Sequence, residues 1–172
     1  KSNIIEGETK ELVQHLNSLQ EGKEAIIGMA PEFSIRQTVQ QNPNKFVSNM
    51  MPFLELKPRY IYDLFVGLKV SWKENNNFDW AEIFQFIEAL IPIIKEWDSS
   101  NFRYNYKNWV IQKIAELIEE GSRTDDHSFS PDYIPISTRV LIKLDTICEQ
   151  KIEFNKDMID LVLNSSKGAI YT

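Results

Sequence analysis

The chain has 172 residues, 42% of them hydrophobic and 26% charged, which is the composition of an ordinary folded domain and argues against disorder. A formal net charge of -6 argues against a general nucleic-acid surface. One cysteine, Cys148, excludes an intramolecular disulfide framework and fits a reducing compartment.

In chain order, a first helix is expected over 8–19, with Leu12, Val13, Leu16 and Leu19 on its buried side and Gly22 near its end. A shorter helical region follows between 24 and 41, interrupted by Pro31. Asn42-Pro43 offers a cap and a first-turn proline, and Phe46, Val47, Met50, Met51 and Leu54 mark the apolar side of the helix it opens. Pro58 starts the next helix, where Ile61, Leu64, Phe65, Leu68 and Trp72 fall at steps of three and four.

A short asparagine-rich join, 74–79, leads to Asp79 as cap of a helix reaching Trp97. Its stripe is Trp80, Ile83, Phe84, Ile87, Leu90, Ile91, Ile94 and Trp97. Pro92 interrupts the backbone ladder and crowds the carbonyl of Glu88, so a bend is expected there. The stripe keeps its phase past the proline, so the helix should continue.

Residues 105–121 form the next expected helix, with Tyr106, Val110, Ile114, Leu117 and Ile118 inward and Gly121 as its stop. The stretch 122–135 reads as an irregular connection. A helix from about Ser137 carries Val140, Leu141, Leu144, Ile147 and Cys148 inward, and a last one spans about 155–163. No stretch alternates with period two between hairpin turns.

These helices pair as 43–56 with 58–75, 79–97 with 105–121, and 137–151 with 155–165. Units of about 40 residues match two-helix repeats of the HEAT or armadillo kind, although no strict period of letters links them. The expected fold is therefore all-α: antiparallel pairs stacked as a HEAT-like or irregular α-solenoid segment, one domain over 1–172. Starting without methionine and stopping just after a turn, it reads as a piece of a longer cytoplasmic chain. No apolar h-region follows Lys1, and the most apolar helix carries Glu82 and Glu88, so no membrane span is expected.

Three segments resemble helical regions of large bacterial multidomain proteins, some attached to nucleotide-binding or defence-type effector modules. They are Asn42-Pro43-Asn44-Lys45-Phe46, then Tyr60 to Gly67 followed by Phe78-Asp79-Trp80, and Leu163-Asn164-Ser165-Ser166-Lys167-Gly168. The last is similar to an Asn-x-x-Arg-Gly turn, with Lys167 in place of arginine. The resemblance implies a helical array inside a longer protein and carries over no catalytic residue.

Candidate chemistry is sparse. His127 lies near Glu119, Glu120, Asp125, Asp126 and Asp132, a set a metal could use, but such a loop lacks fixed ligand spacing and reads better as a solvated acidic connection. His15 has no nucleophile near it in sequence, and Cys148 falls on an inward helix side, where cysteine acts as a small hydrophobe. Phosphate-binding glycine loops, nucleophile elbows and zinc-protease helices are all missing from the sequence. No cofactor is expected.

Aromatic residues are more numerous than helix packing needs: Tyr60, Tyr62, Trp72, Trp80, Trp97, Phe102, Tyr104, Tyr106 and Trp109. Basic residues tint two helices, with Lys57, Arg59, Lys69 and Lys73 on one and Arg103, Lys107 and Lys113 on the other. Intervening acids make solvated faces a better reading than a phosphate track.

The functional expectation is a non-catalytic helical-repeat module for protein–protein interaction or scaffolding. The alternative is a structural or sensor region of a multidomain enzyme, such as a nucleotide hydrolase or defence effector, with its active site elsewhere. The expected partner is a protein or another domain of the same chain, ahead of nucleic acid and without a membrane. Its candidate contacts are Arg59, Tyr62, Arg103 and Tyr104, which sit near helix beginnings beside the main stripes.

Overall fold

The computed structural model describes residues 2–18, 35–100, 103–123 and 126–148, with side-chain surroundings from residue 7 onward. Among them every regular element is helical. The α-helices are α1 (Ser2–Ser18), α2 (Ile35–Gln41), α3 (Pro43–Val47), α4 (Pro58–Lys73), α5 (Trp80–Lys95), α6 (Tyr106–Ser122) and α7 (Ile134–Ile147). Two 3-10 turns, Met51–Glu55 and Pro131–Tyr133, precede α4 and α7. The expected helix over 155–163, and Leu19, Gly22 and Pro31, lie outside the described residues.

Local chemistry sets most helix ends. Asp79 accepts a hydrogen bond from the Ala81 N–H at 2.9 Å and so satisfies a donor that α5 leaves open. Asn105 does the same for α6, accepting from the Asn108 N–H at 3.2 Å. After α4 the chain reverses through Asn75, whose φ of 65° lies in the left-handed region that asparagine tolerates. Asn76 N–H donates to Ser71 O and Asn75 N–H to Trp72 O, the paired bonds of a Schellman stop. Pro92 lies inside α5, which runs on to Lys95 with Ile91 and Ile94 buried on either side of it.

Several helix boundaries differ from the sequence expectation, and α1 begins at Ser2 instead of residue 8. The helix expected over 43–56 breaks after Val47 and resumes as the Met51–Glu55 turn, because Pro52 lacks an N–H and would crowd the carbonyl four residues back. Asn42 stands at the cap of α3, yet its side chain makes no capping bond. Gly121 lies within α6 and does not end it. α7 starts earlier than expected: Ser130 caps the Pro131–Tyr133 turn, and α7 begins at Ile134 with Pro135 in its first turn.

Packing joins helices that are next but one in sequence. α4 lies between α2 and α6, α5 lies between the Met51–Glu55 turn and α7, and α1 rests on that same turn. Asn17 holds the last contact, donating to Glu55 O at 2.7 Å and accepting from Lys57 N–H at 3.0 Å. The sequence neighbours α4 and α5 run antiparallel and meet through large rings, Phe65 with Phe86 and Trp72 with Trp80. Large rings fill the space between those two helices, and the expected pair 79–97 with 105–121, α5 with α6, packs much less closely than α4 with α6.

α2 and α4 come close at Gly67, where an added Cβ would lie 2.6 Å from Arg36 O and 2.9 Å from Val39 Cβ. α4 and α6 are parallel and in constant register: Tyr62 faces Trp109, Lys69 faces Glu116 and Lys73 faces Glu120, each pair 47 positions apart. Burial repeats at that interval too, with Ile61 and Asn108, Leu64 and Ile111, Leu68 and Ala115, and Ser71 and Ile118 all buried.

Glycine substitutions test this packing. Gly67→Ala forces the α2 backbone to move and should cost about 2 kcal/mol, near the middle of the overpacking range. Gly7→Ala meets nothing within 4 Å and should leave stability unchanged or raise it by up to about 1 kcal/mol. Urea unfolding of both variants is the measurement, and a Gly67→Ala protein as stable as the parent would disprove the close approach.

Candidate functional site

The first turns of α4 and α6, with the residues just before α6, carry a continuous group of aromatic side chains, and Arg36 of α2 adjoins it. Because Asn105 begins α6, the chain turns sharply before it, with Tyr106 N–H bonded to Tyr104 O at 2.9 Å. That turn sets the Tyr104 ring over Tyr106, with centroids 6.3 Å apart and planes 13° from parallel. One helical turn on, Trp109 meets Tyr106 edge to face at 5.2 Å. From α4, Tyr62 approaches Tyr106 at 6.3 Å and Trp109 at 6.1 Å. From α2, the Arg36 guanidinium lies 5.9 Å from the centre of the Tyr62 ring and bonds Asp63 at 2.8 Å.

Tyr104 is 59% exposed and Trp109 38% exposed, which is unusual for rings of this size in a folded core. Tyr62 and Tyr106 are half-buried and support them. Of the four residues singled out from sequence, Tyr62 and Tyr104 therefore lie in one band, joined through Tyr106. Arg103 is exposed next to Tyr104. Arg59 is half-buried, with its guanidinium 5.9 Å from the ring of buried Tyr60.

Sequence reasoning left Arg36, Tyr106 and Trp109 out of the site. The cap at Asn105 is a usable signal for the last two, since it places Tyr104, Tyr106 and Trp109 around one helix start. No local pattern points to Arg36, whose place depends on α2 docking at Gly67.

Three lysines of α4 and α6, Lys69, Lys73 and Lys113, are tied up in ion pairs. Glu116 Oε2 lies 2.8 Å from both Lys69 Nζ and Lys113 Nζ. Glu120 lies 4.0 Å from Lys73 and 3.4 Å from Arg123. Lys107 is buried, and its Nζ donates to Lys95 O at 3.1 Å, at the carbonyl end of α5 where a cation is favoured. Burial pushes the Glu116 carboxyl up, but hydrogen bonds and charge from Lys113 and Lys69 outweigh it and hold the group below its ordinary value.

His127 is not simply solvated, as the sequence implies. It is half-buried and stacks on Trp72 with centroids 3.8 Å apart. Its Nε2, like Trp72 Nε1, Trp80 Nε1 and Ser71 Oγ, is buried without a hydrogen-bond partner. No group of three His, Cys, Asp or Glu residues among those described is placed to hold a metal. His15 is exposed on α1, and Cys148 is half-buried with its Sγ 3.5 Å from Asn108 Oδ1. Comparison with protein-family models, curated proteins and solved structures finds no match to this chain.

The Glu116 pair gives an acid-sensitivity prediction. A carboxyl held below its ordinary value contributes stability above the unfolded-state pKa, and that contribution is lost as pH falls through the folded value. Glu116→Gln should cost about 0.5–1 kcal/mol at neutral pH, the scale of a partly exposed pair. The gap between variant and parent should narrow from neutral pH to pH 3 in urea unfolding. A gap that is the same at both pH values would show that the ion pair contributes nothing.

Proposed function

We propose that this chain is a non-catalytic helical-repeat module that binds a protein partner, or another domain of its own chain, through the aromatic band of α4 and α6. The observation that carries this reading is the pair of exposed rings, Tyr104 and Trp109, held by Tyr62 and Tyr106. At 59% and 38% exposure they leave on the order of 200 Å² of ring surface in water, which at about 25 cal/mol per Å² is roughly 5 kcal/mol of gross driving force. Surface ion pairs such as Lys73–Glu120 supply about 0–1 kcal/mol each. Aromatic burial outweighs them.

The repeat architecture proposed is a HEAT-like or irregular α-solenoid. Two features support it: packing between next-but-one helices, as in a two-layered stack, and a 47-residue register between α4 and α6 that falls within about 40–47, the usual HEAT and armadillo length. A cytoplasmic, bacterial setting belongs to the same proposal and rests on the motif resemblance. That resemblance also favours a second reading, a structural or sensor region of a multidomain enzyme such as a nucleotide hydrolase or defence effector, in which the band docks within the chain. Among the described residues, no helix is long and apolar enough to cross a membrane.

Photo-crosslinking inside the native cell tests the band. A benzoylphenylalanine in place of Tyr104 should give a discrete adduct, and one in place of Gln85, exposed on α5, should not. Equal labelling from both positions, or none from Tyr104, would end this assignment. Tyr104→Ala should remove the partner with little loss of stability, whereas Tyr62→Ala should also lower the unfolding temperature because that ring packs against the core.

A further inference from the structure

Where the end of α7 meets the first turn of α6, the Cys148 thiol donates to Asn108 Oδ1, with Sγ 3.5 Å from the oxygen. The cysteine is half-buried, so small solutes reach it while it rests on α6. Asn108 is only 9% exposed, and its side-chain nitrogen Nδ2 is buried without a hydrogen-bond partner. Its backbone N–H is already used, donating to the Asn105 cap at 3.2 Å. The amide is therefore satisfied on its oxygen and bare on its nitrogen, beside a sulfur.

A buried N–H group that lacks an acceptor costs free energy, and an acceptor placed beside it recovers that cost. Thiol sulfur is a weak acceptor, whereas oxygen is a good one. Nδ2 and Oδ1 belong to one planar amide, so an oxygen added to Sγ comes within reach of the nitrogen.

We propose that Cys148 is a site of oxidation to a sulfenic acid by hydroperoxides, with Asn108 Nδ2 holding the oxygen gained. The sulfur attacks one peroxide oxygen, an S–O bond forms as the O–O bond breaks, and the sulfur gives up two electrons. The other oxygen leaves with the thiol proton, as water from hydrogen peroxide or as an alcohol from an organic peroxide. This inference does not rest on the interaction reading.

The surroundings set the pace of the step and the fate of its product. Cys148 closes α7, its N–H donating to Leu144 O at 3.1 Å, and the carbonyl end of a helix disfavours negative charge on the sulfur. Oxidation here is slow. What the amide supplies is persistence of the product. Cys148 is also the single cysteine of the sequence, so no second thiol in the molecule displaces the oxygen to form a disulfide.

Timed trapping with dimedone tests this on the full 172-residue chain. The protein is treated with hydrogen peroxide, catalase removes the excess, and dimedone is added after increasing delays. Mass spectrometry should locate the adduct at Cys148. The trappable fraction should decay about fivefold faster in Asn108→Ala and Asn108→Asp, the worth of one hydrogen bond. Peroxide should consume the thiol at the same rate in all three proteins, to within about twofold, because a merely structural role for Asn108 would expose the thiol and speed that step.

If either variant loses its helical circular dichroism, the parent decides. Its Asn108 side-chain amide signals should shift in nitrogen-15 NMR on oxidation, and the sulfenic acid should decay faster in urea than in the folded chain. No adduct at Cys148, a gain of two oxygens with no trappable stage, equal decay in parent and folded variants, or an unmoved Asn108 signal would each overturn the proposal.

Discussion

The Trp80 indole is the contact on which the arrangement depends. It is 3% exposed and meets Trp72 at 5.2 Å, Phe78 at 5.6 Å, Phe84 at 5.6 Å and Phe129 at 4.9 Å. The ring also occupies the space that any Cβ on Gly121 would need, with Cζ2 2.4 Å from that position. One side chain thereby joins α4, α5, α6 and the segment leading to α7. Burying a ring of this size is worth several kcal/mol, roughly the area of 150–250 Å² at about 25 cal/mol per Å². Its N–H has no hydrogen-bond partner, a cost on the order of 1–3 kcal/mol that offsets part of that gain.

From that node the register spreads outward. Phe84 meets both Phe129 and Tyr133, which fixes where α7 starts, and Arg139 and Lys143 of α7 then reach Glu88 of α5. On the other layer, Trp72 lies at the end of α4 nearest the node, and Tyr62 lies at the opposite end. Because α4 and α6 keep one register over their length, the contact that sets Lys69 against Glu116 also sets Tyr62 against Trp109. The exposed band is a consequence of core packing several turns away. Only Tyr104 is placed locally, by the turn that the Asn105 cap imposes before α6.

Helical periodicity made α4, α5 and α6 legible, because each carries an unbroken stripe of more than three turns and a recognisable start at Pro58, Asp79 or Asn105. Pro92 was legible for the same reason: the stripe kept its phase beyond it. Pro52 was readable in principle, but the apolar residues around it hid a break that a proline favours. The Ser130-Pro131-Asp132 turn carried a cap signal that the polar composition of its surroundings masked. The 47-residue register between α4 and α6 was not legible at all, since it sets Ile61 beside Asn108 and Leu68 beside Ala115: burial recurs there while the letters change. Half the site was visible as aromatic residues near helix starts. The rest depended on which helices become neighbours, and that is decided by a glycine contact between α2 and α4 that no periodicity encodes.

The size of the band also constrains how it would be used. About 200 Å² of exposed ring surface is less than the few hundred Å² at which apolar patches on monomers become exceptional. A stable protein–protein interface buries about 800 Å² on each side, which the band alone does not offer. Its strength is preorganisation: Tyr62 and Tyr106 are fixed by each other, by Trp109 and by Arg36, so docking freezes few rotors. A small, rigid, amphipathic platform suits a short segment that binds and releases, and an obligate subunit would require a broader and more apolar face.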